Sequence, residues 1–342
     1  MKTFANPSVA VVGATGAVGT TMVSILAERG YPLSSLRLLA SERSSGRVVE
    51  TRWGDVTIED LATADPSGID VALFSAGGSR SLAYAPAFAA AGATVIDNSS
   101  AFRMDDDVPL VVANVNDHAI ASHRGIVANP NCTTMAVMMA AGPLHTAAGL
   151  ATMIATSYQS VSGSGHTGMT QLEKEIDHFN ADRNALATGT WSDPGGDLYS
   201  RPIGYNVLPH AGSFTEAGYT DEEWKLVNET RKILERSDIE VEPTCVRVPV
   251  MVGHGIAATM WFDRPVHVDE AAEILEGAPG VELWDDARVP TPLDSAGIDD
   301  VLVGRLRGTL GRPGGISLFA IGDNLRKGAA LNAVELAELL VS

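Results

Sequence analysis

The sequence predicts an α/β protein in two parts: an N-terminal parallel sheet wound with helices, then a second, α+β domain. Three observations carry this reading. The first third of the chain alternates short apolar runs with helical patterns, as a parallel sheet covered on both faces requires. At 342 residues the chain is longer than one small core organises. Beyond Cys132 the regular alternation gives way to mixed strands joined by long connections.

Taken in order, SVAVVG is the first strand, ending in a glycine turn that opens a helix from about Val18 to Arg29. LRLLAS is the next strand, followed by the polar SERSSGR, and VALFSAGG is a strand leading to a helix around Ala83 to Ala91. TVIDNSS is another strand. Strands separated by helices imply right-handed crossovers and parallel pairing. After Cys132 come an apolar helix, the strand-like ATMIATSYQSVSG, the polar helix QLEKEIDHFN, and a glycine- and proline-rich loop from Ala187 to Pro209. Thr220 opens a helix with Glu223 three residues on, a capping box. The strands TCVRVPVMVG and AATMWF follow, and IGDNLRKGAALNAVELAELL reads as a loop leading into an amphipathic helix.

Composition narrows the function classes. With 45% hydrophobic residues and 34 glycines the chain reads as an ordinary globular protein. A formal net charge of −18 argues against nucleic acid or an anionic membrane as partner, so any anionic ligand must be drawn by local arginines and lysines. The start, MKTFANPSVAVVG, shows no apolar leader, and the apolar stretch Thr133 to Ile154 is broken by Gly142, Pro143 and His145, so no membrane span is expected. Two cysteines make no disulfide framework, and no CxxC or HxxxH spacing points to a metal, which fits a reducing cytoplasm.

Gly13-Ala14-Thr15-Gly16-Ala17-Val18-Gly19 sits between a buried strand and a helix, where a dinucleotide fingerprint must sit. Glycines let the backbone approach a pyrophosphate whose charge the helix N-terminus meets, and the first domain is therefore expected to be of Rossmann type. After the second strand, Ser41, Arg43 and Ser44 offer hydroxyls and a guanidinium suited to a 2′-phosphate, which favours NADP over NAD; Glu42 points the other way. A second match, Gly163-Ser164-Gly165-His166-Thr167-Gly168, lies mid-chain without a following βαβ unit and is expected to be a flexible loop near a ligand.

Cys132, in ANPNCTT, follows a proline that discourages helix and precedes an apolar run that favours it. A cysteine in the first turn of a helix is expected to ionise below its ordinary pKa of about 8.5, and as a thiolate it could attack an acyl group. The ordinary alternative is a small buried hydrophobe. Arg247, between Val246 and Val248, and His254, in Val252-Gly253-His254-Gly255, are expected to share one apolar hairpin.

The segments NSSAFR, ANPNCTT, SYQSVSGSG, CVRVPV followed by GH, and DNLRKGAALNAVELAE together resemble the aspartate-semialdehyde dehydrogenase family over nearly the whole chain. The resemblance implies a Rossmann-type NADP-binding domain over 1–131 and 322–342, and a catalytic and dimerisation domain over 132–321. It implies that Cys132 displaces phosphate from L-aspartyl-4-phosphate and that NADPH reduces the resulting thioester to the semialdehyde, in the biosynthesis of lysine, methionine and threonine. Gln159 would orient the acyl group and His254 would move a proton at the thiohemiacetal. Arg247 would grip the substrate carboxylate, Glu222 its amine, and Arg103 and Lys225 the phosphate. From spacing alone, Glu222 and Lys225 would be a surface pair worth a few tenths of a kcal/mol. Asn131, Ser162 and Gly163 would lie near phosphate or cofactor, and Asn324 would reach the nicotinamide side. A homodimer and no metal are implied as well. Related cysteine-dependent reductases, acting on N-acetyl-γ-glutamyl phosphate or acyl-CoA, would use the same kind of machinery. The chain departs from the family's pattern at Thr133, Ala113-Asn114 and Gly255, the last of which leaves open what supports His254.

Overall fold

The computed structural model describes residues 3–285 and 287–341. Strand β1 (Ser8–Val12), buried after its first residue, runs into the glycine turn and helix α1 (Ala17–Glu28). Then follow β2 (Ser35–Ala40), β3 (Val48–Thr51), β4 (Gly54–Asp60), β5 (Val71–Phe74), α2 (Gly78–Ala90), β6 (Thr94–Asp97) and β7 (Ile126–Ala128). These strands form one sheet in the order β3-β4-β2-β1-β5-β6-β7, parallel except where β3 meets β4. Alternate residues of β1 face opposite layers: Val9 and Val11 pack with Met22 and Ile25 of α1, while Ala10 and Val12 pack with Ala85 and Phe88 of α2. Strand order reverses at β1, and in such sheets the crevice beyond the carboxyl ends at the reversal is where ligands bind.

The second half builds α3 (Cys132–Ala148), β8 (Leu150–Gln159), α4 (Gly165–Asn180), α5 (Arg183–Thr188), α6 (Asp221–Ile233), β9 (Glu240–Arg247) and β10 (His254–Phe262). It continues with α7 (Val268–Glu276), β11 (Val281–Leu283), α8 (Pro292–Ser295), β12 (Val301–Gly308) and β13 (Ile316–Gly322), and the chain finishes in α9 (Leu331–Glu338). The second sheet has the order β11-β12-β13-β10-β8-β9, mixed as the long connections require. Helix α3 is buried along nearly its whole length, packing Met135, Met138 and Leu144 against Met153, Ile256, Met260 and Leu318 of that sheet. The other face of the sheet carries exposed Ile154 and Tyr158.

Several expectations change. The strands bearing Arg247 and His254 are no hairpin: β8 lies between them, parallel to β9 and antiparallel to β10. Gly163 to Gly168 is no flexible loop, because residues 161–164 form a 3-10 turn and α4 begins at Gly165. A Cβ on Gly168 would stand 2.4 Å from the Val161 carbonyl oxygen, so that glycine serves close backbone packing. Helix α2 starts at Gly78, five residues before the expected Ala83, and carries Pro86 inside it. The short strands β3, β7 and β11 left too little periodicity to read, and the longer β12 and β13 were also missed. The tail helix is buried on nearly every side instead of amphipathic, with Leu331, Val334 and Leu336 in the core of the first sheet. No helix among the described residues is long and apolar enough to cross a membrane.

Candidate active site

The glycine turn fits a dinucleotide phosphate. Gly13 adopts φ 85°, and a Cβ there would lie 2.2 Å from the Ser75 carbonyl oxygen; one on Gly19 would lie 2.1 Å from that of Gly13. Gly16 caps α1 without a side chain, which leaves the first-turn amides free of a side-chain acceptor. Gly13, Thr15 and Gly16 share a cavity with Ser41 and Arg43 after β2, and with Ser75 and Arg80 after β5. Ser44 is buried and does not line this cavity, and Ala17 and Gly19 belong to the helix entry. Arg80 escaped the sequence reading because it stands in a different βα connection from Arg43. A second cavity carries Val18 of the same turn together with Asn98, Cys132, Ser162, Gly163 and Asn324, so the glycine turn connects the nucleotide pocket to the cysteine.

Cys132 is the first residue of α3, as the sequence implied. Asn131 caps the helix, its Oδ1 accepting from the Thr133 amide at 2.9 Å and the Thr134 amide at 3.4 Å. The expectation of a lowered thiol pKa is reversed. Burial, helped by the Glu222 carboxylate, pushes the thiol up to about 11, outweighing Arg103, Arg247 and the Thr133 amide. The other cysteine, Cys245, lies fully buried in β9.

Cys132 floors a cavity of about 230 Å³ whose walls include Arg103, Gln159, Glu222, Lys225, Arg247 and His254. These residues come from five separate elements and from the loop after β6. His254, 1% exposed, begins β10. The Ser160 backbone amide donates to its Nδ1 at 3.1 Å, so the neutral ring carries its proton on Nε2, which has no partner among the described residues. Burial, then the Arg247 cation, push its pKa down to about 3, so the ring is neutral at working pH. Gly163 makes room for both side chains: a Cβ there would sit 3.1 Å from Arg247 Nη1 and 3.2 Å from His254 Nε2. Arg247 Nη1 donates to the Ser160 carbonyl at 2.8 Å.

The departures from the family pattern also find places. A side chain at position 255 would strike the Phe319 ring, its Cβ 2.4 Å from Cζ, and the support of His254 comes from Ser160 instead. Thr133 Oγ1 accepts a short hydrogen bond from Gln159 Nε2. Ala113 and Asn114 are tied elsewhere: the Ala113 amide donates to Asn332, and the Asn114 amide to Asp117.

Glu222 and Lys225 are paired at 3.0 Å, but inside the cavity wall and not on open surface. Burial works to raise the Glu222 carboxyl, yet Lys225 and the amides of Asn131 and Gln159 outweigh it and hold the group at about 2. Asn131 Nδ2 donates to Glu222 at 2.8 Å and Gln159 Nε2 at 2.9 Å. Gln159 therefore has only its Oε1 uncommitted, an acceptor, which suits a substrate N–H and not an oxyanion. Asn324 Oδ1 gathers Ser160, Ser162 and the Gly253 amide, binding the tail to the turn before His254. Three residues that support this arrangement, Ser160, Glu229 and Asn98, are given no role from sequence, although Asn98 opens NSSAFR, Ser160 lies within SYQSVSGSG, and Glu229 extends the Glu222 and Lys225 stripe of α6.

Two family models match the chain: the semialdehyde dehydrogenase NAD binding domain over residues 8–123, and the semialdehyde dehydrogenase dimerisation domain over residues 142–327. The chain is 51% identical over 341 residues to the aspartate-semialdehyde dehydrogenase of Streptomyces akiyoshiensis, covering 98% of each chain. It is 51% identical over 344 residues to that of Corynebacterium glutamicum, covering 98% of this chain and 99% of the other. Among solved structures, aspartate semialdehyde dehydrogenase II from Vibrio cholerae superposes with a TM-score of 0.92 at 43% identity over 98% of both chains, and a further structure of it is a complex with ASA.

Proposed function

The chain belongs to the aspartate-semialdehyde dehydrogenase family, an NADP-dependent oxidoreductase family, and from that premise we propose how its residues divide the work. The overall conversion is of L-aspartyl-4-phosphate to L-aspartate-4-semialdehyde and phosphate. The observation that carries the assignment is the convergence of a thiol, a neutral imidazole and three cations in one cavity of a chain whose net charge is −18.

The Cys132 thiol passes its proton to the departing phosphate as Sγ forms a bond to the acyl carbon and the carbon–oxygen bond to phosphate breaks, and the hydrogen phosphate leaves toward Arg103 and Lys225. NADPH, bound along the glycine turn with Ser41, Arg43 and Arg80 around its 2′-phosphate, supplies the hydride. His254, neutral and with a single ring proton, acts as a donor and not as the expected proton shuttle: its Nε2–H would hold the oxyanion that forms on the thioester oxygen, which collapses as the carbon–sulfur bond breaks and the electron pair returns to Sγ, where a proton from water restores the thiol. Arg247 grips the α-carboxylate; Glu222 and Gln159 Oε1 accept from the α-ammonium. Asn131, Ser162, Gly163 and Asn324 hold the passage between nucleotide and thiol.

The packing of α9 into the first sheet's core supports assigning 1–131 and 322–342 to the nucleotide domain and 132–321 to the catalytic one. The match to a dimerisation domain supports a homodimer, for which the open face of the second sheet, with Ile154 and Tyr158, offers apolar area. Two unpaired cysteines suit a cytoplasmic location.

The test runs the reaction backwards, with aspartate semialdehyde, phosphate and NADP supplied and absorbance followed. Phosphate-dependent NADPH formation is expected, with NAD and glyceraldehyde 3-phosphate as poor replacements. Turnover with an acyl-CoA and none with aspartate semialdehyde would overturn the substrate assignment.

A further inference from the structure

We propose that Glu229 is a positioning residue of this site, one carboxylate that holds the phosphate-facing arginine and the amide in front of the nucleophile at the same time. The inference rests on the reading of Arg103 as the phosphate cation and Cys132 as the nucleophile. Helix α6 presents Glu222, Lys225 and Glu229 at i, i+3 and i+7, hence on one face. The first two line the cavity; Glu229, 1% exposed, lies beneath it. Its Oε1 accepts from Arg103 Nη1 at 3.0 Å, and its Oε2 accepts from the Asn131 backbone amide at 2.7 Å.

Both bonds point at function. Arg103 also donates from Nε to the Asn129 carbonyl at 2.9 Å and from Nη2 to the Asn98 carbonyl at 3.0 Å. A guanidinium has five N–H groups, so these three bonds leave one free on each terminal nitrogen, the fork that grips two oxygens of a phosphate. Glu229 fixes which way that fork turns. Its second oxygen holds Asn131, the residue that caps α3 and sets Cys132 at the first helical position. Phosphate grip and nucleophile placement are thereby keyed to a single side chain.

Only an acceptor at both oxygens can do this. A glutamine offers one acceptor and one donor, so it satisfies either Arg103 or Asn131 and presents an N–H to the other. A purely structural carboxylate would lower stability when replaced and leave the balance between substrates untouched.

The experiment measures the full-length Glu229→Gln and Glu229→Asp variants in the reverse assay, with thermal midpoints, and follows iodoacetamide alkylation of Cys132 at rising phosphate without cofactor. In Glu229→Gln the KM for phosphate rises at least about tenfold, the scale of one charge-assisted hydrogen bond, while the KM for aspartate semialdehyde moves far less. Phosphate protection of Cys132 shifts to higher concentration by a similar factor. Glu229→Asp, which keeps the charge on a shorter stem, shows the same imbalance in smaller degree and supplies the reading if the glutamine variant does not fold. Equal changes in both KM values, or an unchanged phosphate KM in a variant of lowered stability, overturn the inference alone. A wild-type protein whose semialdehyde oxidation ignores phosphate overturns it together with the proposed function.

Discussion

Replacing Glu222 by glutamine should make Cys132 react faster with iodoacetamide. In the unliganded protein the thiol is pushed up to about 11, burial first and the Glu222 carboxylate second. At pH 8 about one thiol in a thousand is then ionised, against about one in four for a free cysteine of pKa about 8.5, so alkylation runs some two orders of magnitude below that of a free thiol. Because only the thiolate reacts, the wild-type rate climbs about tenfold per pH unit from 7 to 10 without a plateau. The sign of the mutation follows from charge: Glu222→Gln removes an anion that opposes ionisation and leaves Lys225 without that partner, and both changes favour the thiolate. A like charge at this range is worth on the order of one pK unit, so the rate at pH 8 should rise about tenfold. The assay is mass spectrometry of the peptide bearing Cys132 across the pH series. Cys245, fully buried and pushed up to about 12, serves as the slow internal control. A wild-type plateau below pH 9, or a variant that alkylates no faster, would refute the reasoning. The consequence for catalysis is direct, since a substrate ammonium neutralises Glu222 just as the mutation does.

Other outcomes follow from the same geometry. Cys132→Ala removes turnover while NADP binding, read by protein fluorescence, stays near wild type; retained turnover would end the thioester mechanism. Arg247→Ala raises the KM for aspartate semialdehyde by about tenfold or more, and NMR titration of His254 shows a pKa higher than the wild-type value near 3, because a neighbouring cation has gone. Arg43→Ala and Arg80→Ala each weaken NADP binding more than NAD binding, by roughly tenfold if each meets the 2′-phosphate; equal losses for both nucleotides would remove that arginine from the assignment. Gly163→Ala leaves the thermal midpoint close to wild type but lowers kcat/KM by roughly tenfold, since the added methyl crowds Arg247 and His254.

What the sequence made legible was local. A run such as SVAVVG followed by spaced glycines specifies strand, turn and helix, because backbone freedom and side-chain period are properties of neighbouring residues. The capping box at Thr220 and Glu223 formed as read, with Glu223 also accepting from the Cys245 amide. The position of Cys132 at a helix start was equally readable from Pro130, Asn131 and the apolar run after it.

Tertiary structure decided what depends on distant partners. Glu229 is 126 residues from Arg103 and 98 from Asn131, and Ser160 is 94 from His254, spacings at which no pattern in the chain can announce a hydrogen bond. The insertion of β8 between β9 and β10, which separates Arg247 and His254 onto different strands, is likewise a matter of sheet order. Cys132 shows the division most sharply. Read along the chain, the helix N-terminus lowers its pKa; folded, the loss of water and the approach of Glu222 from α6 raise it, because desolvation sums over every element that closes around the thiol while the helix contributes only its first turn.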